Sequence, residues 1–495
     1  MSNDPAGAAG MSSQGMIAPL SQDSVGRNKL VINLLLVATF VVILNETLMA
    51  VAIPRLMHDL NVSADAVQWL TTAFLLTMSV VIPVTGFLLQ RLNTRPVFVW
   101  AMSLFSLGTL VATLAPNLQI LVLARIIQAS GTAIMLPLLM TTAMTLAPPQ
   151  TRGKTMGFIT TVISVAPAIG PTISGVILNY LSWRWMFLLV LPISLGALLL
   201  GWLRMVNVTI PHSARLDAVS VVLSGFAFGG IVYGLSNVGV ASAAARTAAV
   251  WSTVGAVFLV LFIFRQIRQQ ATGYPLLDLR TFQSRNFTIS VLLMASMMMA
   301  LFGTIILLPI YLQNVLGLST LQTGLLLLPG GLLMGLLGPH VGRLYDKVGP
   351  IRLLVPGVMV VSVVLWAMTL LGPHSRVAYI LAGHVVMSIG FAFLFTPLFT
   401  VSLSSVKASL YSHGSAIIGT LQQAAGAAGV ALFVALMSAR AAKLAAGGLA
   451  PIDALSGGVR IGFLCGAIIS LFAVACVFFV RRPCAQPEGG APAGA

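Results

Sequence analysis

Ten acidic residues occur in the 495-residue chain, and Glu46 alone lies inside a long apolar run. The other nine, from Asp4 to Glu488, fall in tails, loops or the ends of such runs. One basic residue, Arg125, is embedded in the same way. Apolar surroundings favour the neutral form of a carboxyl group in general. An acid placed there can load a proton and release it when its access to water changes. Arg125 and Glu46 each stand about seven residues from an end of their runs, so both sit about 10 Å below the same face if the runs are helical. A direct or water-bridged pair is therefore open, and Gln128, one turn from Arg125, can join it. Two plainer readings remain: a permanently neutral Glu46 holding a hydrogen bond, and a static ion pair that locks two helices.

The elements that must position these groups follow from composition. Hydrophobic residues make up 58% of the chain and charged ones 7%, with mean hydropathy +1.01. Soluble domains carry about 25% charged residues, which excludes a soluble enzyme. A membrane helix needs about 20 apolar residues. Such runs are 30–53, 66–89, 96–115, 118–147, 155–179, 185–204 and 218–238, then 247–264, 288–312, 321–341, 351–371, 377–402, 413–438 and 460–480. The expected fold class is therefore an all-α integral membrane protein of 14 transmembrane helices, with the lipid bilayer as its main partner.

The formal charge of +16 does not point to nucleic acid, because the cations stand at the ends of apolar runs. With the N-terminus in the cytoplasm, 18 Lys and Arg fall in cytoplasmic segments and 7 in external ones. The positive-inside rule then predicts a multi-pass protein of the cytoplasmic (inner) membrane with both termini cytoplasmic. Residues 1–29 and 481–495 read as cytoplasmic tails, the first disordered.

An offset of 256 residues superimposes the turn after the second run, Gly86 to Asn93, on the turn after the tenth, Gly342 to Gly349. The same offset carries the starts at 30, 96, 118 and 155 close to the starts of runs 9, 11, 12 and 13. Residues 30–204 thus form one six-helix bundle and 287–480 a second, with inserted helices 7 and 8 and a linker at 205–286. Repeated six-helix halves are a hallmark of transporters that rock about a midplane site.

The turn GFLLQRLNTR at 86–95 resembles the loop signature Gly-x-x-x-Asp-Arg-x-Gly-x-Arg of the major facilitator superfamily, with a second copy at 342–352. Arg125-Ile-Ile-Gln128 is similar to its helix 4 element. Ala168 to Gly175, including Gly170 and Pro171, is similar to the antiporter signature of helix 5. Trp183 to Phe187 resembles the opening of helix 6 in drug:proton antiporters. Leu44-Asn45-Glu46-Thr47 is similar to the helix 1 element of the fourteen-helix branch. Gln90 replaces the signature acid, Asn93 and Ser174 replace glycines, and Asn45 stands where Asp is usual. The resemblance, over residues 30–480, implies a major-facilitator-type fold of two six-helix bundles plus two inserted helices. It also implies proton-coupled efflux of amphipathic compounds, multidrug efflux in particular, with the proton gradient as energy source and no cofactor.

On that reading Glu46, Arg125, Asn45 and Gln128 carry proton coupling. Gly86, Gln90, Arg91, Arg95, Gly342, Asp346, Lys347 and Arg352 lie at cytoplasmic helix ends and stabilise closure there, while Gly170, Pro171 and Gly175 shape helix 5. Met49, Trp69, Met135, Met298, Phe302, Tyr311, Gln313 and Asn314 are candidate cavity contacts, with ordinary core or lipid packing as the alternative. His384 reads as a hydrogen-bonded packing residue. No metal-ligand or nucleophile–base cluster is evident, and Gly153-Lys154-Thr155 lacks the leading glycine and strand of a phosphate loop. The expected function is a proton-coupled antiporter exporting hydrophobic, neutral or monocationic molecules, as a monomer. Its rivals are a dedicated exporter of a metabolite or lipid and a non-transporting membrane sensor.

Overall fold

A computed structural model describes residues 22–208, 216–237, 242–272 and 275–481. The expected tails at 1–21 and 482–495 lie outside them. Among the described residues, fourteen helices are long and apolar enough to cross a membrane. Hydrocarbon offers no partner for backbone N–H and C=O groups, so each crossing must satisfy them internally as a helix.

The first half comprises α1 (Gln22–Leu60), α2 (Ala64–Arg91), α3 (Thr94–Leu114), α4 (Leu118–Leu146), α5 (Arg152–Tyr180) and α6 (Arg184–Arg204). The inserted pair is α7 (Ala218–Ser236) and α8 (Ser242–Thr272). The second half comprises α9 (Arg285–Asn314), α10 (Thr320–Val348), α11 (Ile351–Met368), α12 (Val377–Ser404), α13 (Tyr411–Ala446) and α14 (Pro451–Val477). Several starts are set by side-chain caps. Asn117 accepts the Ile120 amide at 3.0 Å, and Ser319 and Gln322 form a reciprocal capping box ahead of α10.

Several helices outrun their apolar stretches. α1 begins at Gln22, so residues 22–29 are helical and not tail. α13 continues to Ala446 through Arg440 and Lys443, and α14 begins at Pro451 rather than 460. Hydropathy marks where lipid ends. Helix propensity carries the chain further into water.

The halves repeat one another in their packing. In the first, α1 packs on α5 and α6, α3 on α4 and α6, and α2 on α4; in the second, α9 packs on α13 and α14, α11 on α12 and α14, and α10 on α12. Even the short 3-10 turn at Pro149–Thr151 before α5 recurs at Ala408–Leu410 before α13. The halves meet through the symmetric pairs α5–α10 and α2–α13, while α7 and α8 pair with each other and α7 rests on α2 and α13. Lys and Arg concentrate at the end that holds the α2–α3 and α10–α11 turns, called here the basic end; the opposite end is the far end.

Candidate functional site

A polar network built on a buried cation interrupts the apolar interior of the first half. Arg125 of α4 is only 2% exposed, and its Nη1 donates to Asn45 Oδ1 of α1 at 3.2 Å and to Gln128 Oε1 at 2.7 Å. Gln128 Nε2 in turn donates to Thr109 Oγ1 of α3 at 2.8 Å. The guanidinium lies 3.9 Å from the centre of the Phe74 ring of α2, a cation–π contact strengthened by the absence of water. Arg125 and Gln128 between them therefore tie four helices together.

The partner of Arg125 is thus Asn45, not Glu46. Adjacent residues on a helix point about 100° apart, so when Asn45 faces α4 its neighbour turns aside. Glu46 is half-buried. It lies outside ion-pair contact with Arg125 yet within its electrostatic reach. No hydrogen-bond partner holds its carboxylate among the described residues. Of the direct and water-bridged pairings left open, the direct one is not formed among the described residues, and a carboxylate free of any protein clamp stands beside a fixed buried cation.

The turn that carries Glu46 is pressed by α5. A Cβ on Gly170 would collide with the Thr47 hydroxyl, so glycine permits the approach. Ser174 Oγ donates to the Leu48 carbonyl at 2.9 Å. Gly175, by contrast, faces open space, and the contact with α1 on this turn is made by Ser174. Pro167 and Pro171 remove two backbone donors from the same stretch of α5, which loosens the helix where it meets α1. Thr47, Ser174, Thr109 and Phe74 were not singled out from the sequence. Thr47 and Ser174 left a signal only inside the quoted motifs, Ser174 as the residue replacing a signature glycine.

Among the described residues, the hydrogen bonds that join the halves cluster toward the basic end. Asp346 of α10 accepts the Gly153 and Lys154 amides of α5 at 2.8 and 3.0 Å. Thr161 donates to the Gly335 carbonyl at 2.7 Å, and the Thr141 and Ser415 hydroxyls lie 2.7 Å apart. Glycines let α5 and α10 touch: a Cβ on Gly157 would strike Gly338, and one on Gly342 would strike Gly153. Gly86 packs in the same manner on buried His413 of α13, where a Cβ would stand 3.2 Å from Nδ1. His413 carried no motif and was missed.

The closure residues divide. Asp346 crosses between halves, whereas Arg95 donates to the Trp202 carbonyl at 2.6 Å within the first half. Lys347 and Arg352 are exposed at the basic end. Arg91 also lies there, at the last residue of α2.

The cavity candidates do not form one wall. Tyr311 is fully buried and donates to the Gly372 carbonyl at 2.7 Å, so it staples α9 to the α11–α12 loop. Trp69 stacks on Tyr233 of the inserted pair at 5.9 Å. Phe302 covers Gly426 of α13. Met49, Met135 and Met298 are buried, Gln313 is half-buried, and Asn314 is exposed at the end of α9. His384 holds the Leu327 carbonyl at 3.2 Å through Nε2, which ties α12 to α10.

The model of the Major Facilitator Superfamily matches residues 35–430, most of the chain. The chain belongs to that superfamily. It is a transporter-family protein and not an enzyme. Lincomycin resistance protein LmrB of Bacillus subtilis is 39% identical, with 90% of this chain and 95% of LmrB aligned. LmrB of Listeria monocytogenes is 38% identical over 94% of this chain and all of the relative. Among solved structures, the human organic anion transporter MFSD10 shares the fold with a TM-score of 0.67, at 13% identity over 91% of this chain and 99% of that one. In this superfamily member the two loop signatures are unequal. Asp346 caps a helix of the opposite half, while Gln90, at the equivalent place, donates to the Ser409 carbonyl at 3.4 Å.

Proposed function

We propose that the protein is a proton-coupled exporter of hydrophobic small molecules, neutral or singly cationic, working by alternating access as a multidrug efflux antiporter. The basic end and both termini face the cytoplasm in this reading. The observation that carries it is Glu46: an acid within a span, unclamped among the described residues, beside the Arg125 network and on the turn pressed by Gly170 of α5. The hydrogen bonds that join the halves near the basic end support reading the described state as outward-facing. Glu46 takes a proton from outside in that state. Neutralising it removes the charge facing Arg125 and weakens its hold on a cationic substrate, which leaves. Opening at the basic end lets the proton go to the cytoplasm and the next substrate enter.

For one proton exchanged against one neutral molecule, the membrane potential supplies about 2.3 kcal/mol per 100 mV, roughly a fifty-fold gradient. For a monocation the potential cancels and the pH gradient drives export alone. A rigid dication would leave one charge buried without a partner, which is costly. Inverted membrane vesicles test this with lincomycin, the compound that similarity to LmrB suggests first, alongside neutral, monocationic and dicationic drugs. Uptake of the first two classes that collapses with an uncoupler is the expected result. Strong proton-driven uptake of rigid dications contradicts it.

A further inference from the structure

On the outer surface of the first half, α1 and α6 leave a groove of about 650 Å³ near the basic end. Lys29, Asn33 and Val37 line it from α1, and Ile193, Gly196 and Leu200 from α6. Along α1 it runs from Gly26 to Val37, about 16 Å of helix. That is close to half of the ~30 Å hydrocarbon thickness, the depth of one leaflet.

The groove is graded in polarity. Lys29 stands at its mouth. Arg204 follows Leu200 by four residues, which puts it on the same face of α6 one turn nearer the basic end. Trp202, exposed between them, marks the interface level where such rings collect. Neither Lys29 nor Arg204 has an ion-pair or hydrogen-bond partner among the described residues, and the described residues that line the groove include no carboxylate. One turn deeper than Lys29, Asn33 is exposed with no partner for its amide. A bare amide at hydrocarbon depth is costly, so this position calls for a polar ligand that also tolerates lipid. Beyond it, Val37, Ile193 and Leu200 are apolar and exposed.

We propose that the groove binds a membrane phospholipid with an anionic headgroup. Its phosphate lies between Lys29 and Arg204, its glycerol ester accepts from the Asn33 amide, and one acyl chain follows Val37, Ile193 and Leu200. Basic pockets between membrane helices suit such headgroups, and two cations with no acid beside them select net negative charge over a zwitterion. Gly196 forms the floor: a Cβ there would meet nothing within 4 Å, so a larger side chain fills the groove without disturbing the helices.

Native mass spectrometry of the purified full chain tests the proposal, with phosphatidylglycerol and phosphatidylethanolamine of matched acyl chains as probes. Phosphatidylglycerol should be retained at least tenfold better. Gly196→Leu, and separately the pair Lys29→Gln with Arg204→Gln, should each cut that retention at least fivefold. Lys443→Gln, at the far end, should leave it unchanged. Melting in lipid-free detergent checks that each variant is folded, and Asn33→Leu replaces any that is not. Equal retention of the two lipids, or retention in folded variants that matches the wild type, overturns the proposal.

Discussion

Asp346 of α10 accepts the Gly153 amide of α5 at 2.8 Å, so a carboxylate from one half terminates a helix of the other. Its second oxygen takes the Lys154 amide at 3.0 Å. The first amides of a helix have no partner of their own and carry partial positive charge. This cap exists only while the basic end is closed. Opening exposes both amides and the acid to water.

Asp346→Asn keeps the shape and removes the charge and one acceptor. The loss expected is about 1.4 kcal/mol, a tenfold shift toward the state open at the basic end. Distances between spin labels on α5 and α10 should lengthen, and turnover should slow with substrate affinity unchanged. A loss confined to affinity, with distances unmoved, contradicts the closure role.

Asn45 and Arg125 bear a structural load as well as a chemical one. Asn45→Leu leaves Nη1 with Gln128 alone at a buried site, at a cost of about 1 to 3 kcal/mol. Arg125→Lys loses both the planar stack on Phe74 and the reach to two acceptors. Both variants should melt below the wild type in detergent, the lysine variant by at least as much. Wild-type melting of Asn45→Leu would show that the network does not hold the helices.

These particulars show what was legible in the sequence. Fourteen crossings and the repeat were, because lipid demands a long apolar run for each helix and symmetry repeats the demand. Helix ends in water were not, since the apolar run ends at 438 while α13 goes on to Ala446. Depth arithmetic put Glu46 and Arg125 on one level. It could not say that Asn45, one residue away, points at the guanidinium. Tyr311 and Trp69 were read as cavity contacts because aromatic type and depth do not reveal which neighbour a ring meets; the Gly372 carbonyl and Tyr233 occupy them instead.

Asp217 joins the inserted pair at the basic end. Arg265 donates to both its oxygens, at 2.6 and 2.9 Å, and Gln269 and Ser220 add further donors. The Arg265 hydrogen bonds, ahead of the Ser220 contact and against the cost of burial, hold its carboxyl well below the usual carboxylate range. A depressed folded value means that the stabilisation is complete above the unfolded value of about 3.9 and is lost only as pH falls below it. Asp217→Asn should therefore melt lower than wild type at pH 7, with the gap narrowing only under about pH 4. Equal melting at pH 7, or a gap that is constant through strong acid, contradicts this.

The central claim is that protons are coupled through Glu46. Glu46→Gln keeps the size and polarity of the side chain and removes its titration. Proteoliposomes holding this variant should fail to accumulate substrate against its gradient when a pH gradient is imposed. They should still exchange a labelled for an unlabelled neutral substrate near the wild-type rate, since that half-reaction needs neither the proton nor the charge on Glu46 and shows the fold intact. Uphill, proton-driven transport by Glu46→Gln at the wild-type rate would contradict the account.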